Sequence, residues 1–518
     1  MSLADFLAQF GFDDNPFRST NAADEPKLTE YFVPPPYFAS VLGTPAHPRS
    51  DVVLAPRGGG KTAQRIKIES ESTHSNDFLC VSYEKFDIRE GFKASDADLP
   101  YHLNNICRLL LVAALSEIES NPAKVSNLNT HKKTVLKYQV QKFLGGLSSA
   151  DYESAINSLK NIGDKANDLW SKYGGKVAAL INAFIAKYEF GTIDISGVAE
   201  VNLLEDDSLR YHFQELLKIL SSIGFSSIYI LVDRVDELYL TAKDAQSTFN
   251  FIKPLLEDLP TLETPNVAFK FFLWDQIENF YKASGARPDR VPVHKLGWSP
   301  EELSRMLTER LRAYSDGNIT SFNDLLESNN DIDAHKLIAY FSYGSPRDMI
   351  RVCQTIINEQ TRMDTSSPSI KEQSLWMALK NFSDVRSDEL FGSFLPDLRK
   401  IGAVTFTING IANDIFRISQ QAARAKVQKW MNVGSVAKIG ELPNPGNRPL
   451  HLFGLLDPRL AVALRPGQET ELILGNYVLT CPSCGKLCVS DRAQITCDTC
   501  FDSFVLANTR SILEICSF

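Results

Sequence analysis

No stretch of this 518-residue sequence reaches the ~18 consecutive apolar residues that a membrane-spanning helix needs. The nearest candidate, Cys107-Arg-Leu-Leu-Leu-Val-Ala-Ala-Leu115, is short and carries a charge. No basic segment or cleavage pattern follows Met1-Ser-Leu-Ala-Asp-Phe6, so no secretory signal and no membrane partner are expected. The eight histidines are scattered without metal-ligand spacing, and no serine occupies a nucleophile elbow. Nuclease, protease and NADase centres are thereby excluded from the expectation. Internal repeats and long low-complexity tracts are also missing. A net charge of −9 argues against non-specific coating of nucleic acid, although it leaves room for one basic module. Cysteines are few outside one place. Five of the nine crowd into 481–500, a layout that favours one metal site in a reducing, cytoplasmic setting over disulfides.

What is present reads as α/β. Asp51-Val-Val-Leu54, Phe78-Leu-Cys-Val-Ser82, Ser227-Ile-Tyr-Ile-Leu-Val232 and Val267-Ala-Phe-Lys-Phe-Phe-Leu273 are apolar strands of the kind buried on both faces of a parallel sheet. Val291–Leu296 is a further candidate, with Pro292 restricting it to an edge or to the strand's first turn. Helical spacing fills much of 100–220, although the role of 120–200 is unreadable. The expected organisation is an irregular segment 1–50, a three-layer P-loop core 51–299 with the helical insertion, a helical lid 300–370, a winged-helix-like domain 371–475 and a zinc-ribbon tail 476–518.

Ala55-Pro56-Arg57-Gly58-Gly59-Gly60-Lys61-Thr62-Ala63 follows the first strand and opens a helix. A glycine run lets backbone N–H groups approach phosphate oxygens, and the helix N-terminus stands behind them. Lys61 would meet the β/γ-phosphates and the Thr62 hydroxyl would meet Mg²⁺. Ala55 stands where the strict motif has glycine, a mild departure at a tight turn. The site's second half should be an acid at a buried strand end that holds Mg²⁺ through water, and Asp233 fits. Asp236 or Glu237, three and four residues on, could polarise the attacking water.

Tyr229-Ile-Leu-Val-Asp-Arg-Val-Asp-Glu-Leu238 resembles the Walker B form of the STAND/NACHT and ORC-type branches of the AAA+ ATPases. Phe10-Gly-Phe-Asp-Asp-Asn-Pro-Phe17 and Tyr31-Phe-Val-Pro34 resemble the start of bacterial ORC-like P-loop ATPases, and Gly344-Ser-Pro-Arg347-Asp348 is similar to their sensor 2 region. Over residues 10–360, the resemblance implies that the segment before the P-loop meets adenine. It also implies that Arg347 reaches the γ-phosphate and that Asp275 is nearest the sensor 1 position. Arg287 and Arg290 are arginine-finger candidates, with a solvated loop as the alternative; in the helix 301–314, Arg312 should pair with Glu309 while Arg310 faces water.

Cys481-Pro-Ser-Cys484 and Cys497-Asp-Thr-Cys500 have the spacing of paired knuckles converging on Zn²⁺, and Cys488 is a bystander. Ser419 should cap a helix running to Gly434, with Arg424, Lys426 and Lys429 exposed and Val427, Trp430 and Met431 packed inward. A hairpin from Val436–Ile439 and Leu450–Phe453, around a turn at 443–446, would follow. Residues 399–450 hold eight basic residues against Asp414 and Glu441, which serves either DNA or a protein contact. The reading is an ATP-binding, slowly hydrolysing molecular switch that forms homo-oligomers or engages a separate effector protein; the resemblance places such switches in antiphage defence. The alternative is a DNA-binding ATPase of replication or transposition.

Overall fold

The computed structural model describes residues 3–75, 78–188, 206–242, 244–328, 331–364, 366–445 and 448–518. Part of the expected insertion (189–205) and the end of the 443–446 turn lie outside the described residues. Two compact units emerge: residues 34–297, and residues 1–33 together with 298–518.

The first unit is an α/β fold on a five-stranded parallel sheet. Its strands are β1 (Asp51–Ala55), β2 (Phe78–Tyr83), β3 (Ser227–Val232), β4 (Val267–Trp274) and β5 (Val293–Lys295), in the order β2-β3-β4-β1-β5. Every residue of β1, β2 and β3 is buried, as continuous apolar runs require when both faces are covered. Edge strand β5 begins after Pro292, whose carbonyl accepts the Val52 N–H at 2.9 Å; proline has no N–H to give. The helices Lys61–Ser75 and Leu99–Ser120 pack on the sheet.

Register is fixed by charge as well as by apolar pattern. Asp51 of β1 lies opposite Lys270 of β4, both are buried, and their side chains meet at 2.8 Å. His294 Nε2 reaches the other Asp51 oxygen at 3.0 Å. Burial would raise the Asp51 pKa, but His294 and Lys270 together hold it below the usual carboxylate range. A one-residue slip would strand both buried charges.

His102, fully buried on the helix Leu99–Ser120, ties β2 to the helix Ala245–Leu256. Its Nε2 lies 2.8 Å from the Phe251 carbonyl and its Nδ1 lies 2.9 Å from the Tyr83 hydroxyl. The carbonyl can only accept, so Nε2 carries the hydrogen and Nδ1 accepts from Tyr83. Burial pushes the His102 pKa down from 6.5 to about 4. Below pH ~6.5 the unfolded chain therefore takes up a proton that the folded chain refuses. The stability is intact above that pH and falls as pH drops toward 4, by about 2 kcal/mol at pH 5. Urea unfolding at pH 7.5 and 5.0 should show His102→Gln losing correspondingly less than the wild type; equal losses would remove His102 as the cause.

In the second unit, the helix Pro300–Tyr314 is capped by Ser299 in a capping box with Glu302. Arg312 pairs with Glu309 at 3.3 Å. Arg310, expected at the surface, is buried instead. Its guanidinium donates to the Pro16 carbonyl, the Tyr31 hydroxyl and the Glu25 carboxylate, and the Tyr314 hydroxyl donates to the same carboxylate. The N-terminal segment supplies the acceptors that make this burial tolerable, and helical periodicity alone does not reveal a partner almost three hundred residues away.

Ser345 caps the helix Pro346–Met363 by accepting the Asp348 N–H at 3.2 Å. Farther on, β6 (Thr405–Thr407), β7 (Val436–Leu442) and β8 (Leu450–Leu455) form an antiparallel sheet in the order β6-β8-β7. Ser419 caps the helix Gln420–Asn432 as expected, and Val427 and Trp430 are buried. Met431 is not packed inward; it lies at the surface, adjacent in sequence to Trp430 but turned ~100° away around the helix. The tail adds two hairpins of three-residue strands, β9 (Val478–Thr480) with β10 (Leu487–Val489) and β11 (Gln494–Thr496) with β12 (Ser503–Val505). Among the described residues, no helix is long and apolar enough to cross a membrane.

Candidate functional site

In the first unit, β4 lies between β1 and β3, so the C-terminal ends of these strands bring three segments together. The loop after β1 carries Pro56–Gly60, the end of β3 carries Asp233, and the end of β4 carries Asp275. Crevices at the carboxyl ends of parallel strands are where open α/β sheets bind ligands.

Gly58 and Gly60 have φ of +78° and +98°, a region costly for residues with a Cβ. A Cβ on Gly59 would stand 3.0 Å from the Pro56 carbonyl oxygen. Lys61 and Thr62 open the helix Lys61–Ser75, with Ala63 half-buried in its first turn. Lys61 is buried, and its Nζ donates to the Ala55 and Pro56 carbonyls at 3.1 and 3.3 Å. Burial lowers the Lys61 pKa, while Asp236, Asp233 and Asp275 work to keep it charged.

Thr62 Oγ1 donates to Asp233 Oδ2 at 3.0 Å, joining the two halves of the motif across 171 positions. With its hydrogen committed to Asp233, the hydroxyl keeps its lone pairs for a cation, which is the geometry a Mg²⁺ ligand needs. Asp233 Oδ1 accepts the N–H of Arg234, which adopts a left-handed φ of +61°. Asp236 and Glu237 lie in the short 3₁₀ turn Val235–Glu237, yet their environments differ. Asp236 is buried and held by Arg57: Nε donates to its Oδ2 at 3.0 Å, and a terminal nitrogen donates to its carbonyl at 2.7 Å. The Glu237 side chain is 61% exposed.

Asp275 is partly buried, with one carboxylate oxygen enclosed and without a hydrogen-bond partner. Burial raises its pKa, and the nearby Lys61 charge pulls the other way.

Arg65 went unread in the sequence. One helical turn after Thr62, it is buried and shares Asp233 Oδ2 at 3.0 Å. It also meets Glu84 at 3.1 Å and pairs with Glu69. Glu84, immediately after β2, was missed too. A charged residue in register with the P-loop hydroxyl, and an acid directly after a buried strand, are the signals that could have found them.

Arg287 is held by Asp289 at 2.8 Å and Arg290 is paired with Glu263, so both finger candidates are engaged within the chain. In the second unit, Arg347 is exposed in the first turn of its helix. Its neighbour Asp348 is buried, paired with Arg386 at 3.0 Å and Arg459 at 2.5 Å.

The four tail cysteines converge: the Sγ atoms of Cys481, Cys484, Cys497 and Cys500 lie within 4.8 Å of one another. Cys481–Cys500 and Cys484–Cys497 are 3.6 and 3.7 Å apart. Ligands at ~2.3 Å around a tetrahedral ion would stand about 3.8 Å apart, whereas a disulfide needs ~2.05 Å. The donor set fits Zn²⁺. Gly485, at φ +72°, closes the first knuckle, and the Thr499 N–H points at Cys497 Sγ from 3.5 Å. Cys488 also approaches Cys497 and Asp498, but Lys486 holds Asp498 at 2.7 Å, and four thiols complete the set without Cys488.

The basic stretch 399–450 is partly neutralised. Lys426 is half-buried against Asp397 at 2.5 Å and Lys438 meets Glu441 at 2.7 Å, while Arg424 and Lys429 are exposed.

No family model and no curated protein matches the chain. Among solved structures, it is similar to the Orc1 protein of Aeropyrum pernix in complex with DNA, at 13% identity over 88% of this chain and 98% of that one, with a TM-score of 0.38. It is also similar to Cdc6p from Pyrobaculum aerophilum, at 12% identity over the same shares, with a TM-score of 0.30.

Proposed function

We propose that this chain is a P-loop ATPase of the AAA+ type that uses ATP as a switch. The observation that carries the reading is the Thr62–Asp233 hydrogen bond beside a buried Lys61 and a glycine-rich turn. Those parts hold phosphate and cation in this chemistry, and they meet here from two separate stretches of sequence. Thr62 and Asp233 would hold Mg²⁺, which supplies positive charge to the phosphate oxygens. Lys61 neutralises the terminal phosphates, and Asp236 or Glu237 accepts a proton from the attacking water. A bond forms from the water oxygen to the γ-phosphorus, the bond to the bridging oxygen breaks, and ADP and phosphate leave. Phosphate release from ATP, dependent on a divalent cation and abolished by EDTA, is the expected result; a folded chain that neither binds nor hydrolyses ATP would reject the reading.

The tail cysteines bind structural Zn²⁺, and the helix Gln420–Asn432 with its hairpin forms a winged-helix-like module. Homo-oligomerisation and a separate effector partner follow from the switch reading, and antiphage defence rests on the sequence resemblance alone. A second reading, in which this module meets duplex DNA, is favoured by the exposed Arg424 and Lys429. It requires salt-steep duplex binding that weakens, with a shallower salt slope, in Arg424→Ala/Lys429→Ala. Absence of binding at about 50 mM salt would dismiss it.

A further inference from the structure

We propose that Arg57 is a nucleotide-sensing arginine built into the P-loop, exchanging Asp236 for the terminal phosphate of ATP. The proposal rests on the ATP-site reading above and assigns to one side chain a task that the motif leaves to others.

Arg57 sits in the middle of the loop between β1 and the helix Lys61–Ser75, where the backbone wraps around phosphate in this class of site. Besides Lys61, it is the one basic side chain between Ala55 and Thr62. Its guanidinium stacks on Trp274 at 4.5 Å, and Trp274 is paired in register with Ala55 at the root of the loop. Two donors on one edge of the fork are spent on Asp236, one on the carboxylate and one on the backbone carbonyl. The side chain nevertheless remains 38% exposed. A planar fork stacked on an aromatic face is pre-organised for bidentate recognition of phosphate.

The partner it holds is what makes the pair a switch. Asp236 is buried, and it is one of the two acids available to polarise water. While Arg57 grips it, Asp236 Oδ2 is engaged by a guanidinium N–H and is not free to accept from a water. A γ-phosphate offers the guanidinium a more highly charged acceptor, which ADP does not place there. Moving Arg57 to the phosphate puts positive charge where negative charge builds up during phosphoryl transfer. It also releases Asp236 Oδ2 from the guanidinium, so that this oxygen can accept a proton from the attacking water. Binding of the correct nucleotide thus unmasks the base.

The test is equilibrium binding of fluorescent ATP and ADP analogues to the full-length chain and its Arg57→Ala, Arg57→Lys and Asp236→Asn variants. Arg57→Ala should lose ATP affinity by about tenfold or more while ADP affinity moves less than about twofold, so retained ADP binding certifies a folded loop. Arg57→Lys should fall between, because a point charge cannot reproduce the fork. Asp236→Asn, which weakens the latch, should tighten ATP several-fold and leave ADP unchanged. Equal losses for both nucleotides in Arg57→Ala, or no loss for either, would overturn the proposal. A wild-type chain that binds neither nucleotide would instead overturn the ATP-site reading.

Discussion

Replacing Lys61 by alanine is expected to lower ATP hydrolysis by about 10³-fold or more while leaving the chain folded. The ammonium is enclosed at the root of the loop, with its nitrogen against the Ala55 and Pro56 carbonyls and three acids, Asp233, Asp236 and Asp275, near enough to sustain its charge. Carrying a charge into this place costs desolvation, and the acids offset it only in part, since burial dominates the shift. Alanine removes that cost together with the charge, so the change in stability is small compared with the change in rate. The loss should appear in both binding and turnover, because a cation facing the β/γ-phosphates acts on the ground state as well as on the transition state. Arginine should not rescue it. Nζ is packed against two carbonyls, and a guanidinium is wider and branched. Phosphate release and thermal melting, measured on the same samples, check both halves. A variant retaining a tenth of wild-type turnover would refute the role given to Lys61.

Removing metal from the tail is expected to unfold it without touching the unit 34–297. The small core around the cysteines consists of Ile439, Leu452, Ile495 and Phe504 together with Cys481, Cys488 and Cys497. The ligands are therefore part of the core they hold together. Each hairpin offers only three residues per strand, and isolated two-stranded hairpins are marginal in water. Closed four-cysteine sites in such small modules supply folding free energy directly, on the order of 10 kcal/mol in zinc-finger peptides. Purified protein should hold one zinc per chain, released by a thiol-blocking mercurial. Cys484→Ser or Cys497→Ser should lose the metal and open 476–518 to protease, and Cys488→Ser should keep it. A metal-free wild type with a protease-resistant tail would refute the zinc assignment.

Lys61 and the knuckle cysteines were legible in the sequence because the chemistry sits in local spacing. A glycine run followed by Lys-Thr needs only the strand before it and the helix after it. Two Cys-x₂-Cys pairs need only a turn each. The strand ends that carry Asp233 and Asp275 were legible for a related reason: a parallel sheet buried on both faces writes itself as uninterrupted apolar runs, and an acid just past such a run stands out. The cap at Ser419 and the edge position of β5 followed equally from single residues, a hydroxyl and a proline.

What only the tertiary structure decided is which charges are partners. Arg310 is spaced like a solvent-facing residue, yet the N-terminal segment folds over it with the Pro16 carbonyl, Tyr31 and Glu25. Arg65 is an ordinary helix residue until Asp233, Glu69 and Glu84 close around it. Lys426 counted toward a basic surface until Asp397 took half of it out of solvent. Asp236 and Glu237 are adjacent acids in sequence, and only the folded chain shows that Asp236 is buried and held by Arg57 while Glu237 is largely exposed beside Arg234. The difference is physical. Hydrophobic periodicity and turn chemistry are short-range properties written every few residues, so the sequence by itself determined the parallel α/β core, the loop and the knuckles. Burial of a charge depends on whether a distant segment brings a compensating group, and that is settled only when the chain has closed on itself.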